Sequence, residues 1–321
     1  ASMVNQQFLH SKNSIPFSAI RLIRRHIMRR ALTKLARPSG ALAMVAVDQR
    51  EALRGMFAAH QSTPVPDSQL TQFKVDVARE LSPYASALLV DQEFGIDAII
   101  DQKVLAPTCG LIAAADLLVG PAGGAATDTA VDKDVDPLRM RDIGSVGLKF
   151  LVLWRNDESP ESRAKLVAEF NELCAKSGLP SIIEVIVKPP TDSSRSFDRE
   201  EELIIAAKEA SQWSADLYKA EVPFHGEGDL TAITRNSERI SEAVGTPWVV
   251  LSNGVKAPFF ADAVKACAQG GASGFLAGRA VWADIVGSSD IPAALREVSI
   301  PRLEKLAEIV DTYARPWTDV R

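Results

Sequence analysis

Eight short apolar runs, separated by polar turns and stretches of helical periodicity, constrain this chain more than any other feature. They fall at 41–49 (ALAMVAVDQ), 85–91 (ASALLVD), 110–115 (GLIAAA), 147–154 (GLKFLVLW), 181–187 (SIIEVIV), 215–222 (ADLYKAEV), 247–252 (PWVVLS) and 272–279 (ASGFLAGR). Runs this continuously apolar suit strands buried on both faces, as in a parallel sheet covered by helices. Helical patterns lie between them at 67–84, 159–178, 198–214 and 259–271; the first three open on Asp or Ser, as an N-cap should, and 159–178 and 259–271 close on glycine. Repeats of roughly 30 to 35 residues predict an α/β fold of one domain, a (β/α)8 TIM barrel, with a doubly wound open sheet as the runner-up. The first strand ends in AVDQRE, without the G-x-G-x-x-G of a dinucleotide fold, which favours the barrel.

Composition removes several classes. Apolar residues make up 46% and charged residues 24% of the 321 residues, so disorder is excluded. The formal charge, 36 Lys+Arg against 41 Asp+Glu, is −5 and gives no footprint for nucleic acid. No apolar stretch of about 18 residues exists to predict a membrane span. Cys109, Cys174 and Cys267 contain no CxxC pair, which suits apolar filling in a reducing, cytoplasmic setting. The arginine-rich start, with Arg21, Arg24, Arg25, Arg29 and Arg30 among Ile20, Leu22, Ile23 and Ile27, reads as an extension over residues 1–37. A packing arm is the favoured reading of it and a membrane-surface or transit-like segment the alternative; the barrel domain is expected over 38–321.

Charges inside the runs carry the functional reading. Asp48, Lys149, Glu184 and Lys219 each interrupt an apolar run, and a buried charge is costly unless paired. Inward positions of barrel strands all face one axis, so the four can converge as two amines and two carboxylates. One chemistry uses such a set: a neutral amine attacks a carbonyl to form a Schiff base, a neighbouring ammonium lowers its pKa, and carboxylates shuttle protons. The plainer reading is buried ion pairs that only fix register. The turns LSNGV (251–255) and AGRAVW (277–282) bring Ser252, Gly254, Gly278 and Arg279 to the loops after the last two strands, a frequent phosphate site of barrels.

Other chemistries find fewer parts. Of four histidines, His10 and His26 fall in the extension, and only His60 and His225 remain, too few for an imidazole-rich metal site. No metal or other cofactor is expected. His225 reads as a solvated loop residue more readily than as a substrate contact, and the acidic segment VDKDVDP as a solvated loop.

The segments AVDQRE (46–51), LSPYASALLVDQ (81–92), LKFLVLWR (148–155), EFNELC (169–174), SIIE (181–184), SADLYKAE (214–221) and above all ASGFLAGRAVWA (272–283) closely resemble the sulfofructose-phosphate aldolases of sulfoquinovose breakdown. More distantly the chain is similar to class I tagatose-bisphosphate aldolases. The resemblance runs from about residue 38 to near the C-terminus. It implies cleavage of 6-deoxy-6-sulfofructose 1-phosphate to dihydroxyacetone phosphate and 3-sulfolactaldehyde without a metal, with tagatose 1,6-bisphosphate or a related ketose phosphate as the competing substrate. It further implies Lys219 as the Schiff-base lysine, Glu184 as the proton-transfer group, Lys149 as the accessory lysine and Asp48 as the first-strand carboxylate. Ser252, Gly254, Gly278 and Arg279 would hold the ketose phosphate, and Gln49, Arg50 and Arg155 are candidates for the sulfonate end. The extension and the segment 122–134 have no place in the pattern. A symmetric homo-oligomer is the prior for such barrels, and a barrel that binds sugar phosphates without catalysis is the alternative from another class.

Overall fold

In the computed structural model, which describes residues 32–320, eight parallel strands close into a barrel. They are β1 (Leu42–Ala46), β2 (Ala87–Val90), β3 (Gly110–Ala114), β6 (Ser145–Trp154), β7 (Ser181–Val187), β8 (Leu217–Ala220), β9 (Trp248–Val250) and β10 (Gly274–Ala277), with β10 pairing back onto β1. Seven lie within the apolar runs that predicted them, and β6 begins two residues ahead of its run at 147–154. The closed sheet replaces the open doubly wound alternative, because β1 finds partners on both edges and leaves no row of backbone groups unpaired.

Two apolar layers build the molecule. Alternate residues of the strands, including Leu42, Met44 and Ala46 of β1, Ile112 and Ala114 of β3, Ile182 of β7, Leu217 of β8 and Leu276 of β10, pack together inside the barrel. Their neighbours, such as Val45, Leu88, Phe150, Ile183 and Phe275, face outward against the helices. Leu32 and Leu35, 3% and 0% exposed, join Trp317 in the inner cluster. Lys34 presents its carbonyl to Gly110, the first residue of β3, so this segment closes the N-terminal end of the barrel. Of the segment read as an extension, Leu32, Leu35 and Ala36 pack against the inner cluster of the barrel. The arginine-rich segment ahead of them lies outside the described residues.

Local signals explain the helices. Ser159 caps helix Pro160–Ser177 by accepting from the Ser162 N–H at 3.3 Å, and Asp198 caps Arg199–Ala210 by accepting from the N–H groups of Glu200 and Glu201. Gly178 ends the first of these at φ +72, the left-handed conformation a side chain disfavours. Asp67, expected as a cap, instead lies inside its helix (Asp67–Leu81), because Pro66 supplies the extended N-cap residue; its carboxylate turns to Arg54 at 2.8 Å.

Two departures from a plain barrel shape the site. Between β3 and β6 rises an antiparallel hairpin, β4 (Asp116–Val119) and β5 (Asp128–Val131), with Asp116 opposite Val131; β5 lies in the segment 122–134 that had no place in the sequence pattern. The second is a bulge: Leu111 and Ile112 of β3 pair with Ser145 and Gly147 of β6, so Val146 is one residue extra. A one-residue shift exchanges the faces of a strand. Beyond the bulge Lys149, Leu151 and Leu153 therefore point into the barrel mouth while Phe150 joins the outer core.

A buried ion pair fixes the turn after β1. Lys74, fully buried on helix Asp67–Leu81, bonds Asp91 at the end of β2 and donates to the carbonyls of Val47 and Gln49 at 2.7 Å each. Removing one partner of such a pair leaves an uncompensated charge in the interior. Lys74→Met is expected to lower unfolding stability by about 3–5 kcal/mol, read from the midpoint of urea unfolding; a loss under 1 kcal/mol would be inconsistent with a closed, water-free pair.

Candidate active site

The alternation that fills the barrel with Ala46, Ala114, Ile182 and Leu217 places a charged residue two positions further along each of those strands. These are Asp48, Asp116, Glu184 and Lys219, and the bulge of β6 brings Lys149 to the same level. Apolar residues fill the lower barrel and charges occupy its C-terminal mouth, where barrel enzymes carry their sites.

Lys149 stands at the centre. Its ammonium donates to Asp48 Oδ2 at 2.9 Å and Asp116 Oδ2 at 2.9 Å, and pairs with Glu184 Oε2 at 2.8 Å. Lys219 Nζ lies 3.0 Å from the same Glu184 oxygen, so one carboxylate oxygen on β7 is shared between lysines on the two strands that flank it, β6 and β8. The four residues singled out from sequence do converge. Asp116, which sequence reasoning missed, is the fifth member: it also accepts from the Leu151 N–H at 3.0 Å and from the Arg50 guanidinium at 3.2 Å. Reading the alternation one step beyond Ile112 and Ala114 would have found it.

Burial and charge oppose each other here. Burial pushes the Asp48 carboxyl up, but the cationic side chains of Lys149 and Lys219 outweigh it and hold Asp48 well below the usual carboxylate range. Glu184 is depressed through the same contest. For Lys149, burial favours the neutral amine, yet Asp116, Asp48 and Glu184 together hold its pKa well above the ordinary lysine value. Lys149 is thus a fixed ammonium.

Above this floor opens a cleft lined by all four sequence-predicted charges. Gln49, Ser252, Gly278 and Arg279 also line it, as expected. Gln49 Oε1 is buried without a hydrogen-bond partner, a polar atom facing a site. Arg279 bonds the side chain of Asn253, and burial lowers its pKa. Three expected residues are placed elsewhere. Gly254 does not line the cleft; at φ +76 it lies so close to the half-buried His225 that a Cβ would meet Nδ1 at 2.5 Å, and its neighbour Asn253 takes the lining position. Arg50 is tied to Asp116, donating to its carbonyl at 2.7 Å as well as to its carboxylate, and Arg155 pairs with Glu158 at 2.9 Å. Neither arginine lines the cleft.

The hairpin roofs one side through Leu118, Ala125 and Ala126. Its tip is held to helix Glu51–Ala58: the Gly123 N–H donates to Glu51 Oε2 at 2.9 Å, and Gly123 O would lie 2.1 Å from a Cβ on Gly55. Only glycine permits that approach. Lys188, following β7, completes the lining and was not foreseen. The cysteines stay out of the site: all three are buried, and burial pushes the thiols of Cys109 and Cys267 up to about 12.

The pattern of the DeoC/LacD family aldolases matches residues 42–284, the span from β1 past the Arg279 turn. The chain belongs to the DeoC/LacD aldolase family. It is an aldolase, a carbon–carbon lyase, which sets aside the non-catalytic binding barrel. Relatives include tagatose 1,6-diphosphate aldolase 2 of Streptococcus pyogenes serotype M3, 27% identical over 91% of this chain and 97% of the relative. The tagatose 1,6-diphosphate aldolase of Lactococcus lactis is 28% identical over the same shares. Among solved structures, fructose-bisphosphate aldolase of Plasmodium falciparum superposes with a TM-score of 0.66 at 12% identity, covering 91% of this chain and 96% of that one. At that identity the likeness is one of fold.

Titration of the cluster gives a prediction with a definite sign. Unfolded Asp and Glu titrate near 3.9 and 4.3, and both folded values here are lower. Their contribution to stability is complete above about pH 5 and is lost as pH falls through the depressed folded values. The Lys149 contribution is complete below its unfolded value of about 10.4 and is lost only as pH rises through a still higher folded value. The cluster's contribution is thus level between about pH 5 and 9. In Lys149→Met, burial becomes the dominant influence and lifts Asp48 and Glu184 above their unfolded values, so stability should fall as pH rises from 4.5 to 7.5. Urea midpoints at the two pH values test this: the variant's deficit relative to the wild type should be larger at pH 7.5 than at pH 4.5.

Proposed function

We propose that this aldolase works through a Schiff base on Lys219, cleaving a ketose 1-phosphate that carries a second anion at its far end. The observation that carries the reading is the pairing of Lys219 with Glu184, whose shared oxygen also contacts Lys149. The amine and a proton carrier are within 3.0 Å of each other on the floor of a cleft, and the carrier is held by a permanent ammonium.

The steps follow from that arrangement. Lys219 passes a proton to Glu184 and attacks the C2 carbonyl as the neutral amine, and Glu184 returns that proton to the carbinolamine hydroxyl, which leaves as water. Removal of the C4 hydroxyl proton then sends the C3–C4 electron pair into the iminium. An aldehyde departs, and the enamine left behind is protonated at C3 and hydrolysed to dihydroxyacetone phosphate. The phosphate on C1 fits Arg279 with Ser252, Asn253 and Gly278, one turn from Lys219 around the barrel mouth.

The tagatose 1,6-diphosphate aldolases among the relatives favour tagatose 1,6-bisphosphate as substrate, with a triose phosphate as the departing aldehyde. The sulfosugar reading from sequence stands second: the segments SADLYKAE and ASGFLAGRAVWA, around the reactive lysine and the phosphate turn, resemble the sulfofructose-phosphate aldolases. Borohydride added to enzyme with dihydroxyacetone phosphate is expected to reduce an adduct onto Lys219, located by peptide mass. No adduct would sink the mechanism. Lys219→Ala should abolish cleavage, and Glu184→Gln should lower kcat by about 10²- to 10⁴-fold. Relative kcat/KM on the bisphosphate and the sulfosugar phosphate decides between the two substrates.

A further inference from the structure

The basic groups at the cleft divide into two kinds. On the floor, Lys149, Lys219 and Arg50 face Asp48, Asp116 and Glu184, three basic side chains against three acidic ones, all buried and interlocked. At the rim stand two further cations with no such partner. The Arg279 guanidinium bonds only the neutral Asn253, and among the described residues the Lys188 ammonium has neither a carboxylate nor a hydrogen-bond acceptor. The floor is balanced and the rim is not.

The barrel places these two cations apart. Arg279 follows β10 and Lys188 follows β7, with β8 and β9 between them in the strand order and Lys219 on β8. Glu184, Ile186 and Lys188 alternate inward along one strand line, which puts the Lys188 backbone about 13 Å beyond that of Glu184, at the mouth of the cleft. The cleft it lines also carries apolar residues, Leu153 and Ile186 on the wall and Leu118, Ala125 and Ala126 in the hairpin. Lys188 is half-buried, as a lysine is that packs its stem against a wall and keeps its charge towards solvent.

We propose that Lys188 is the receptor for the anion at the far end of the substrate and thereby sets its specificity. The inference rests on the Schiff-base reading above, since that reading fixes C2 at Lys219 and the C1 phosphate at Arg279, leaving the remainder of the chain to run towards β7 and the hairpin. Arg50 and Arg155, expected there from sequence, are committed to Asp116 and Glu158. Lys188 takes their place. The ligand chemistry is an anion on the sixth carbon, either sulfonate or phosphate. One ammonium in an apolar wall matches a single charge more closely than the roughly −1.5 to −2 of a phosphate monoester.

The test compares 6-deoxy-6-sulfofructose 1-phosphate, tagatose 1,6-bisphosphate and fructose 1-phosphate, the last with a neutral hydroxyl at the far end. For Lys188→Met the ratio of kcat/KM, anionic far end over neutral, should fall roughly 10- to 100-fold, the range for losing a charge-assisted hydrogen bond, and Lys188→Arg should restore part of it. The loss should lie mainly in KM, since the far anion is remote from the breaking bond. An unchanged ratio in Lys188→Met overturns the inference. Borohydride trapping of dihydroxyacetone phosphate, which lacks the far end, separates the two readings: a wild type that traps nothing overturns the Schiff-base reading itself, whereas trapping with an unchanged ratio overturns only the role of Lys188. A larger wild-type ratio for the sulfosugar than for the bisphosphate identifies the anion as sulfonate, and the reverse order as phosphate.

Discussion

The ammonium of Lys149, held by Asp48, Asp116 and Glu184 from the ends of three other strands, is the contact around which the barrel mouth is organised. Three carboxylates facing one axis without it would repel one another in a medium that screens little. With it, each strand end is drawn to the same point. The cost of burying so many charges is offset only because no member stands alone: Asp116 also binds the Leu151 N–H and Arg50, and Glu184 also binds Lys219. The arrangement that secures the barrel mouth also fixes how Glu184 can serve Lys219. A carboxylate held by one permanent ammonium has an oxygen at a fixed place for the second amine.

The turn after β1 is held from several sides for the same reason. Lys74 grips the carbonyls of Val47 and Gln49 from the helix layer, the Trp282 indole donates to the Ala46 carbonyl at 2.9 Å, and Arg50 reaches across to Asp116. Asp48 and Gln49 therefore enter the cleft from a turn whose backbone acceptors are satisfied inside the fold. Glu51, the next residue but one after Gln49, joins that turn to the hairpin through Gly123. Gln49 Oε1, like Arg50 Nε beside it, is buried without a partner, and Gln49 is the one of the two residues that lines the cleft.

Most of the barrel was legible because each strand is apolar on both faces, and the charges that break the pattern at Asp48, Lys149, Glu184 and Lys219 carried the site. What escaped depended on register and distance. Asp116 stood just past the end of a recognised run, and the strand that pairs with it, ending at Val131, lay in a segment to which the sequence pattern gave no role. That Lys149 points inward follows from the bulge at Val146, which composition does not reveal. Arg50 and Arg155 are as basic as Lys188; Glu158 stands only three residues after Arg155, but nothing near Arg50 in the sequence says that Asp116 neutralises it. For Arg50 a partner from another strand decides that the cation is not available. Leu32 and Leu35 were assigned to an extension because an arginine-rich segment precedes them, yet their side chains seal the inner core.

This distribution of charge separates binding from reaction. Anion contacts at the rim, remote from the bond that breaks, stabilise ground state and transition state alike and so govern which substrate is held and where. On the floor, by contrast, Lys149 and its carboxylates already satisfy one another before any substrate arrives, so they add little affinity for an anion. In the proposed mechanism their effect is confined to proton position: a carbinolamine forming at Lys219 meets an oxygen of Glu184 whose location and charge are set in advance. On the proposed role of Lys188, a substrate with a different far end is accommodated by changing the rim, there or in the hairpin residues Ala125 and Ala126, without disturbing the five charged residues beneath. A substitution at Asp116 or Lys149 alters the floor for every substrate alike. Selectivity and reactivity sit on different residues of the same strands, separated by the two-residue repeat that points both into the cleft.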